Sequence, residues 1–379
     1  MFNKRVTRVL IALLSIVVMC WSIGSIVFDP QQRFFARYYT EENYKNLERL
    51  YNASQYRQKE PTALIADDVV FRYAAGAYMR GVDPILINSE ITPLGKYMVG
   101  ASFAFFQNDG PVILGSALLV LVAIWLLGIL VFNDRVLALI PVAFFVTEEL
   151  FLNQLRVSPL MDIIQLPWIL LSIFFFQKER KTQRFFLTSL VLGVVMATKS
   201  VVPAIILFSS FSLLLILKRN RRTLWRFMSW VPLSVVVLML SYVRTFLNGY
   251  TLADFLGFQK WILQYQQSKL IFPFSFWRLM LFNQWQTWWG EMKIMPAEDW
   301  RWTWPILSLL PLILTVVFII QKKRLSETIT LLLIWALIYE AFFSLGIIAT
   351  RFLLPILPVL YILLIYSLQH VFSRTRRKI

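Results

Sequence analysis

The chain has few of the residues that build disulfides and metal sites. It contains one cysteine, Cys20, and one histidine, His370. A lone cysteine forms no internal disulfide, and a single histidine near the C-terminus makes a histidine-based metal site a weak interpretation. Carboxylates alone could still bind a hard cation such as Mg²⁺ or Mn²⁺, and this alternative stays open. No A-x-A cleavage motif follows the first apolar run, so we interpret that run as a retained membrane span.

Charged side chains are also scarce. They make up 16% of the 379 residues, whereas hydrophobic residues make up 58%. This apolar excess is too large for a soluble domain and is typical of a polytopic membrane protein. Apolar runs close to the roughly 20 residues that cross a bilayer predict an all-α bundle of about ten transmembrane helices. The ten runs are 9–28, 112–132, 136–152, 163–177, 185–201, 202–217, 227–246, 303–320, 328–348 and 352–372.

The formal net charge of +17 is unevenly distributed along the chain. With the N-terminus inside and the spans alternating, the inner segments hold 20 Lys/Arg and 3 Asp/Glu, and the rest holds 18 of each. Because cytoplasmic loops carry the excess of Lys and Arg, both termini are predicted to be cytoplasmic. The basic residues lie in short loops without a basic face, which argues against nucleic-acid binding. The short inner loops favour a protein of the bacterial plasma membrane, in contact with membrane lipids.

No internal repeat or soluble domain is visible, and residues 1–379 are predicted to form a single membrane-embedded domain. Two long outer segments interrupt the spans. The first, 29–111, is predicted to carry amphipathic helices, including one over 33–60 that lies on the membrane face. The second, 247–302, is rich in aromatic residues, which either form an interfacial belt or line a groove for a lipid or a sugar.

Several ionisable residues lie at the predicted outer ends of the spans. Charges at membrane depth are costly, so each is a candidate site residue. A single charge there could also be a snorkelling anchor, and an Asp pair could simply begin a solvated helix. Converging carboxylates and cations could instead activate a nucleophile and hold an anion. The candidates are Asp67, Asp68, Glu90 and Lys96 in the first outer segment, Glu148, Arg156 and Asp162 between the third and fourth spans, Lys199 between the fifth and sixth, and Arg351 at the tenth.

The pair Asp67-Asp68 precedes Pro93-Leu94-Gly95-Lys96 in the first outer segment. This arrangement resembles the membrane-embedded glycosyltransferases of the C superfamily. The closest likeness is to the branch of protein O-mannosyltransferases and aminoarabinose transferases. In that branch an outer-loop Asp-Glu or Asp-Asp precedes a His-Pro-Pro-Leu-Gly-Lys element.

Three further stretches resemble elements of the same superfamily, in the expected order. They are Gln154-Leu155-Arg156 with Asp162 and the upstream Glu148, then Ala197-Thr198-Lys199, and finally Arg351-Phe352-Leu353-Leu354-Pro355 with Pro358. The sequence departs from the pattern at Ile91-Thr92, which stands in place of the usual His-Pro. One extra residue also separates Arg156 from Asp162.

The resemblance implies transfer of a hexosyl or pentosyl group from a polyprenyl-phosphate donor to a protein, lipid or glycan acceptor on the outer face. A carboxylate takes the proton of the acceptor hydroxyl as it attacks, and a single displacement inverts the sugar. The departing phosphate needs positive charge, which Arg supplies well. The resemblance implies that Asp67 is the base, with Asp68 as the alternative. The implied phosphate ligands are Arg156, Lys199 and Arg351, and Lys96 assists them. Glu148 and Asp162 would orient the cations or the sugar, and Glu90 would be a further substrate-binding residue.

Two other functions stay open at the level of sequence. Ten spans with buried charges would also suit a transporter or lipid flippase, although no inverted repeat or matched pair of Gly/Pro-broken spans is visible. The departure at Ile91-Thr92 would also suit a non-catalytic subunit of an envelope-assembly complex.

Overall fold

A computed structural model describes residues 4–267, 273–287, 293–322, 325–346 and 348–375. Nearly all of its regular structure is helical. The helices are α1 (Lys4–Val27), α2 (Glu41–Asn52), α3 (Asp67–Met79), α4 (Leu94–Phe106), α5 (Gly110–Phe132), α6 (Leu139–Val146), α7 (Glu149–Arg156), α8 (Met161–Thr182), α9 (Phe186–Thr198), α10 (Val202–Leu217), α11 (Arg221–Ser241), α12 (Val243–Leu247), α13 (Leu252–Gln267), α14 (Ser275–Phe282), α15 (Trp304–Ile320), α16 (Glu327–Phe343) and α17 (Leu357–Thr375). There are also two 3₁₀ helices, Pro84–Leu86 and Thr350–Leu353, and one antiparallel pair, β1 (Trp285–Gln286) with β2 (Ile294–Met295).

The prediction of an all-α polytopic bundle is confirmed, and each predicted span contains a helix. Among the described residues, four helices are long and apolar enough to cross a membrane by length and composition: α1 from Arg5, α5, α8 and α11. The predicted third span is divided, because α6 ends at Val146 and α7 begins at Glu149. Between them the backbone of Glu148 is extended, with φ −64° and ψ 122°.

Helix α8 forms the centre of the bundle. Apolar residues surround most of its first four turns, and a helix that is apolar on all sides is stable only when it is buried. It packs against α5 and α9, and α9 packs against α11. Towards the end of α8 a group of phenylalanine rings fills the core, with Phe176 stacked on Phe211 at a centroid distance of 4.1 Å. The packing of α8 therefore fixes the position of Asp162, the acidic residue of its first turn.

Helices α2, α3 and α4 form a small unit within the predicted first outer segment. Helix α2 is amphipathic, as predicted, but it is shorter than 33–60 because Thr40 caps its first turn in a reciprocal pair with Asn43. Its buried Tyr44 and Tyr51 pack on Tyr73 of α3, at centroid distances of 5.7 and 4.8 Å. The tyrosine cluster therefore joins α2 to the helix that begins with the acidic pair.

The Thr-Pro-Leu-Gly-Lys turn docks on the end of α9. The Thr92 hydroxyl donates to the Met196 carbonyl at 2.9 Å, and the Thr92 amide donates to the Lys199 carbonyl at 3.2 Å. A Cβ on Gly95 would lie 2.6 Å from the Thr198 carbonyl oxygen, so only glycine allows this approach. The departure from His-Pro thus supplies a hydroxyl and an amide that fix the start of α4 beside Lys199.

A second anchor joins the predicted outer segments through Asp83. This buried carboxylate accepts from the Thr245 hydroxyl at 2.7 Å, the Asn248 amide at 2.8 Å and the Ile85 amide at 3.1 Å. The aromatic-rich segment beyond α12 includes Trp288 and Trp289, which lie outside the described residues.

We expect Asp83→Ala to lower the free energy of unfolding by about 2 kcal/mol, because it leaves three donors without an acceptor. The measurement is the melting temperature of the purified protein in detergent. Asp83→Asn keeps one acceptor oxygen and should lose less. A melting temperature of Asp83→Ala equal to that of the wild type would contradict this role.

Candidate functional site

Four charged side chains from distant parts of the sequence meet in one ion-pair cluster, defined here as Asp67, Asp162, Lys199 and Arg351. A guanidinium nitrogen of Arg351 lies 2.5 Å from Oδ2 of Asp67, and its Nε lies 4.0 Å from Oδ2 of Asp162. Lys199 donates to the other oxygen of Asp162. The two carboxylates and two cations balance each other, so the cluster has no net charge.

The local fold explains why Asp162 and Lys199 meet. Asp162 lies in the first turn of α8, where the helix dipole favours a carboxylate. Lys199 ends α9 with a non-helical backbone, at φ −142° and ψ −52°. Gln165 on α8 joins the two elements, because its amide donates to the carbonyls of Val195 at 2.8 Å and Ser200 at 3.0 Å.

The 3₁₀ helix Thr350–Leu353 positions Arg351. Thr350 donates to Oδ2 of Asp299 at 3.1 Å, and Tyr339 donates to the carbonyl of Phe352. The Phe352 ring lies beneath both cations, 5.1 Å from the amine of Lys199 and 5.8 Å from the guanidinium carbon of Arg351. Hydrogen bonds on both sides and an aromatic face thus hold this arginine in place.

Asp67 has a second partner that the sequence analysis did not identify. The hydroxyl of Tyr56 donates to Oδ1 of Asp67 at 3.0 Å. Burial raises the pKa of Asp67, but the Arg351 guanidinium and the Tyr56 hydroxyl outweigh burial and hold the pKa below its ordinary value. The Asp67–Arg351 end is also the more open one, with 30% and 25% of the two side chains exposed. At neutral pH, before any donor binds, Asp67 is therefore an ionised carboxylate that solvent and ligands can reach.

Asp68 has a different environment from its neighbour Asp67. The charged groups that interact with it include Arg72, Arg37 and Asp67, and Arg72 lies 3.3 Å from Oδ2 of the buried Asp109. Burial raises the pKa of Asp68 above its ordinary value. The two members of the acidic pair are thus directed towards different groups of charges.

Arg156 lies outside the ion-pair cluster but is linked to it. It donates to Glu149, and to Oδ1 of Asn153 at 2.6 Å. Asn153 donates to Asp299, which also accepts from Thr350, the residue before the arginine of the cluster. A chain of hydrogen bonds therefore connects the end of α7 to the 3₁₀ helix.

Glu148 also lies in a separate polar group. Its buried carboxylate accepts from the hydroxyl of Tyr361 and from the indole of Trp304 at 3.3 Å. Nε of Arg301 lies 3.6 Å from the same carboxylate. These contacts account for the break between α6 and α7, because the extended backbone turns the carboxylate towards donors on α15 and α17.

Lys96 and Glu90 hold the turn that precedes α4. The fully buried amine of Lys96 donates to the carbonyls of Asn88 at 2.7 Å and Ile91 at 2.8 Å. Asn88 in turn donates to Glu90 at 2.8 Å. Burial lowers the pKa of Lys96 to about 7. In the described part of the chain, neither residue contacts the ion-pair cluster.

The described residues offer no group of three or more His, Cys, Asp or Glu side chains placed to hold a metal ion. The ion-pair cluster has two carboxylates, and a cation already lies next to each of them. Its partly exposed arginine suits an incoming anion, because an anion can exchange with Asp67 at the guanidinium.

No family model matches the sequence, and no curated protein matches it. The fold, however, is similar to two solved structures of ArnT from Cupriavidus metallidurans. The structure bound to undecaprenyl phosphate aligns with 97% of this chain at a TM-score of 0.57 and 14% sequence identity. The apo structure aligns with 83% at a TM-score of 0.55 and 15% identity. The chain therefore shares its fold with these ArnT structures.

The C-superfamily resemblance drawn from the sequence motifs is thus confirmed for the fold, as is the interpretation of the chain as an integral membrane protein. The alignments cover 61% of the ArnT chain in the undecaprenyl-phosphate complex and 57% of the ArnT chain in the apo structure. Within this fold, residues from four separate motifs, Asp67, Asp162, Lys199 and Arg351, lie in contact.

Sequence reasoning missed the residues that support the ion-pair cluster. Tyr56 gives no signal, because it lies in an irregular loop and its partner is on the next helix. Asp299 lies in the aromatic-rich segment, where it was not considered as an ionisable candidate. Its position two residues before Arg301, close to the start of a predicted span, is the signal that could have found it.

Proposed function

We propose that the chain is a glycosyltransferase that moves a sugar from a polyprenyl-phosphate donor to an acceptor at the outer face of the membrane. The observation that carries the proposal is the ion-pair cluster, in which two cations lie beside an accessible carboxylate at the ends of membrane helices. The likeness of the fold to an ArnT structure bound to undecaprenyl phosphate supports a donor of the same lipid-phosphate class.

In the proposed reaction the donor phosphate binds Arg351 and Lys199. The acceptor hydroxyl attacks the anomeric carbon, a new carbon–oxygen bond forms, and the bond from that carbon to the phosphate oxygen breaks. Asp67 takes the hydroxyl proton as general base. The polyprenyl phosphate leaves as an anion with the bonding electrons, and the cations stabilise its charge. One displacement inverts the anomeric configuration.

The other candidates have supporting roles in this proposal. Asp162 contacts both cations and orients them. Lys96 and Glu90 hold the turn beside α4, and Glu148 holds the start of α7. Arg156, whose charge is paired with Glu149, supports the site through Asn153 and Asp299, and Asp68 is the alternative base. The proposed topology places both termini in the cytoplasm and the two long segments outside.

The test uses the purified chain in nanodiscs with a panel of radiolabelled polyprenyl-phosphate sugars. We expect one donor to be consumed, with release of polyprenyl phosphate and formation of a labelled product. Release that requires the Asp67-Asp68 pair would support the proposal and identify the sugar. Activity that survives exhaustive chelation would exclude a dependence on Mg²⁺ or Mn²⁺.

A transport assay in sealed vesicles separates this function from its rivals. A lipid flippase would move the intact donor across the bilayer without cleaving it. A folded chain that releases no polyprenyl phosphate from any donor and transports none would instead favour a non-catalytic subunit of an envelope-assembly complex.

A further inference from the structure

The two oxygens of Asp67 have different partners. Oδ2 accepts from Arg351 at 2.5 Å, whereas Oδ1 accepts from the Tyr56 hydroxyl at 3.0 Å. The first partner is a cation that a phosphate would also bind. The second is a neutral hydroxyl, which attracts a phosphate anion less strongly than the arginine does. A donor that enters the ion-pair cluster therefore affects one of these two contacts far more than the other.

Each cation of the ion-pair cluster already has a carboxylate partner. Lys199 pairs with Asp162, and Arg351 pairs with Asp67. A donor phosphate must therefore displace a carboxylate. Asp162 lies in the first turn of the central helix with its side chain only 7% exposed, so the more exposed Asp67–Arg351 pair is the one that opens.

The segment that carries Tyr56 is fixed independently of the cations. The side chain of Gln55 donates to the Ile65 carbonyl at 2.8 Å and accepts from the Ile65 amide at 3.1 Å. The Tyr56 amide donates to the buried Ser54 hydroxyl at 3.3 Å, and its ring stacks on Tyr51 at a centroid distance of 6.2 Å. These contacts aim the Tyr56 hydroxyl at Asp67 whether or not the arginine is engaged.

We infer that Tyr56 is a positioning residue. It holds Asp67 in place, ionised and directed at the acceptor, after the donor phosphate has displaced Asp67 from Arg351. This inference rests on the proposed transferase function and assigns a role to a residue outside the sequence motifs. The proton of the acceptor hydroxyl goes to Oδ2 of Asp67, the oxygen freed from the arginine. Tyr56 keeps its own proton and continues to donate to Oδ1.

The charges around this pair give the inference a pH signature. Loss of Arg351 to the phosphate raises the pKa of Asp67, and the Tyr56 hydrogen bond to the ionised form opposes that rise. Burial and the adjacent carboxylate raise the pKa of Tyr56, so the phenol stays protonated and able to donate. The titratable and charged groups near Asp67 and Tyr56 are Arg351, Lys199, Asp68, Glu90 and Tyr265.

The experiment measures kcat against pH for wild type and Tyr56→Phe, from about pH 5 to about pH 8, with saturating donor. Removal of the hydroxyl should move the acidic limb of the profile up by about one pH unit, since a hydrogen bond to a charged group is lost. At pH values below the wild-type limb the kcat should fall about tenfold relative to wild type, with a change of less than about threefold near pH 8. The dissociation constant of polyprenyl phosphate should stay within about twofold of wild type.

The matched control is Tyr73→Phe, which removes a tyrosine hydrogen bond to Tyr44 from the same helical unit without touching Asp67. Its pH profile should follow that of the wild type. An unshifted acidic limb in Tyr56→Phe, with an active wild type, would overturn the role of Tyr56 and leave the transferase function standing. An inactive wild type with every donor would overturn the proposed function, and the inference with it.

Discussion

Asp67→Asn is expected to lower the rate of sugar transfer by about 10³-fold, the scale of a general base. Asparagine has nearly the same shape and can still accept from the Tyr56 hydroxyl through its amide oxygen. It cannot take up the acceptor proton. The measurement is release of polyprenyl phosphate from the preferred donor under single-turnover conditions, with equal amounts of folded wild type and variant.

Donor binding separates the loss of a base from damage to the site. Asp67 competes with the phosphate for Arg351 in the resting state. Asp67→Asn removes that competitor and should bind polyprenyl phosphate at least as tightly as the wild type. Asp68→Asn is the matched control, since its carboxylate is near Arg72 rather than Arg351. A rate in Asp67→Asn equal to that of the wild type, with a loss in Asp68→Asn, would transfer the role of base to Asp68.

Arg351→Ala is expected to weaken donor binding by about 2 kcal/mol, or about 30-fold in Kd, since a charge-assisted contact to the phosphate is lost. The loss should concern the donor far more than the acceptor, because Arg351 lies on the phosphate side of Asp67 in the proposed reaction. Isothermal calorimetry with polyprenyl phosphate measures the first quantity, and the acceptor KM measures the second.

Two control variants show whether a change in donor affinity is specific to Arg351. Arg351→Lys keeps the charge but loses the paired hydrogen-bond geometry, so its affinity should lie between those of wild type and Arg351→Ala. Arg180→Ala removes an arginine whose partner is Glu327, at the opposite end of α8. Its donor affinity should be unchanged. An unaltered Kd in Arg351→Ala would show that the phosphate binds elsewhere.

The helices could be predicted from the sequence because the bilayer imposes a simple rule. Long apolar runs must be helical, since no water is present to bond the backbone. The rule failed within the run 136–152, where the structure has two short helices instead of one span. The break lies at Glu148, whose extended backbone directs its carboxylate to donors on α15 and α17.

The site could be predicted in part. The rule that charges at membrane depth are rare found Asp162, Lys199 and Arg351, and the structure brings all three together with Asp67. That rule does not predict which of these charged residues pair with each other, because the pairs depend on how the helices pack. Tyr56 could not be found from sequence, because its role depends on a loop fixed by Gln55 and Ile65.

A structure of the chain with polyprenyl phosphate bound tests the central claim most directly. The account predicts that the phosphate lies about 3 Å from the nitrogens of Arg351 and Lys199. It also predicts that Asp67 has left the arginine and still accepts from Tyr56. A phosphate bound elsewhere, with the Asp67–Arg351 pair intact, would contradict the assignment of the ion-pair cluster as the donor site.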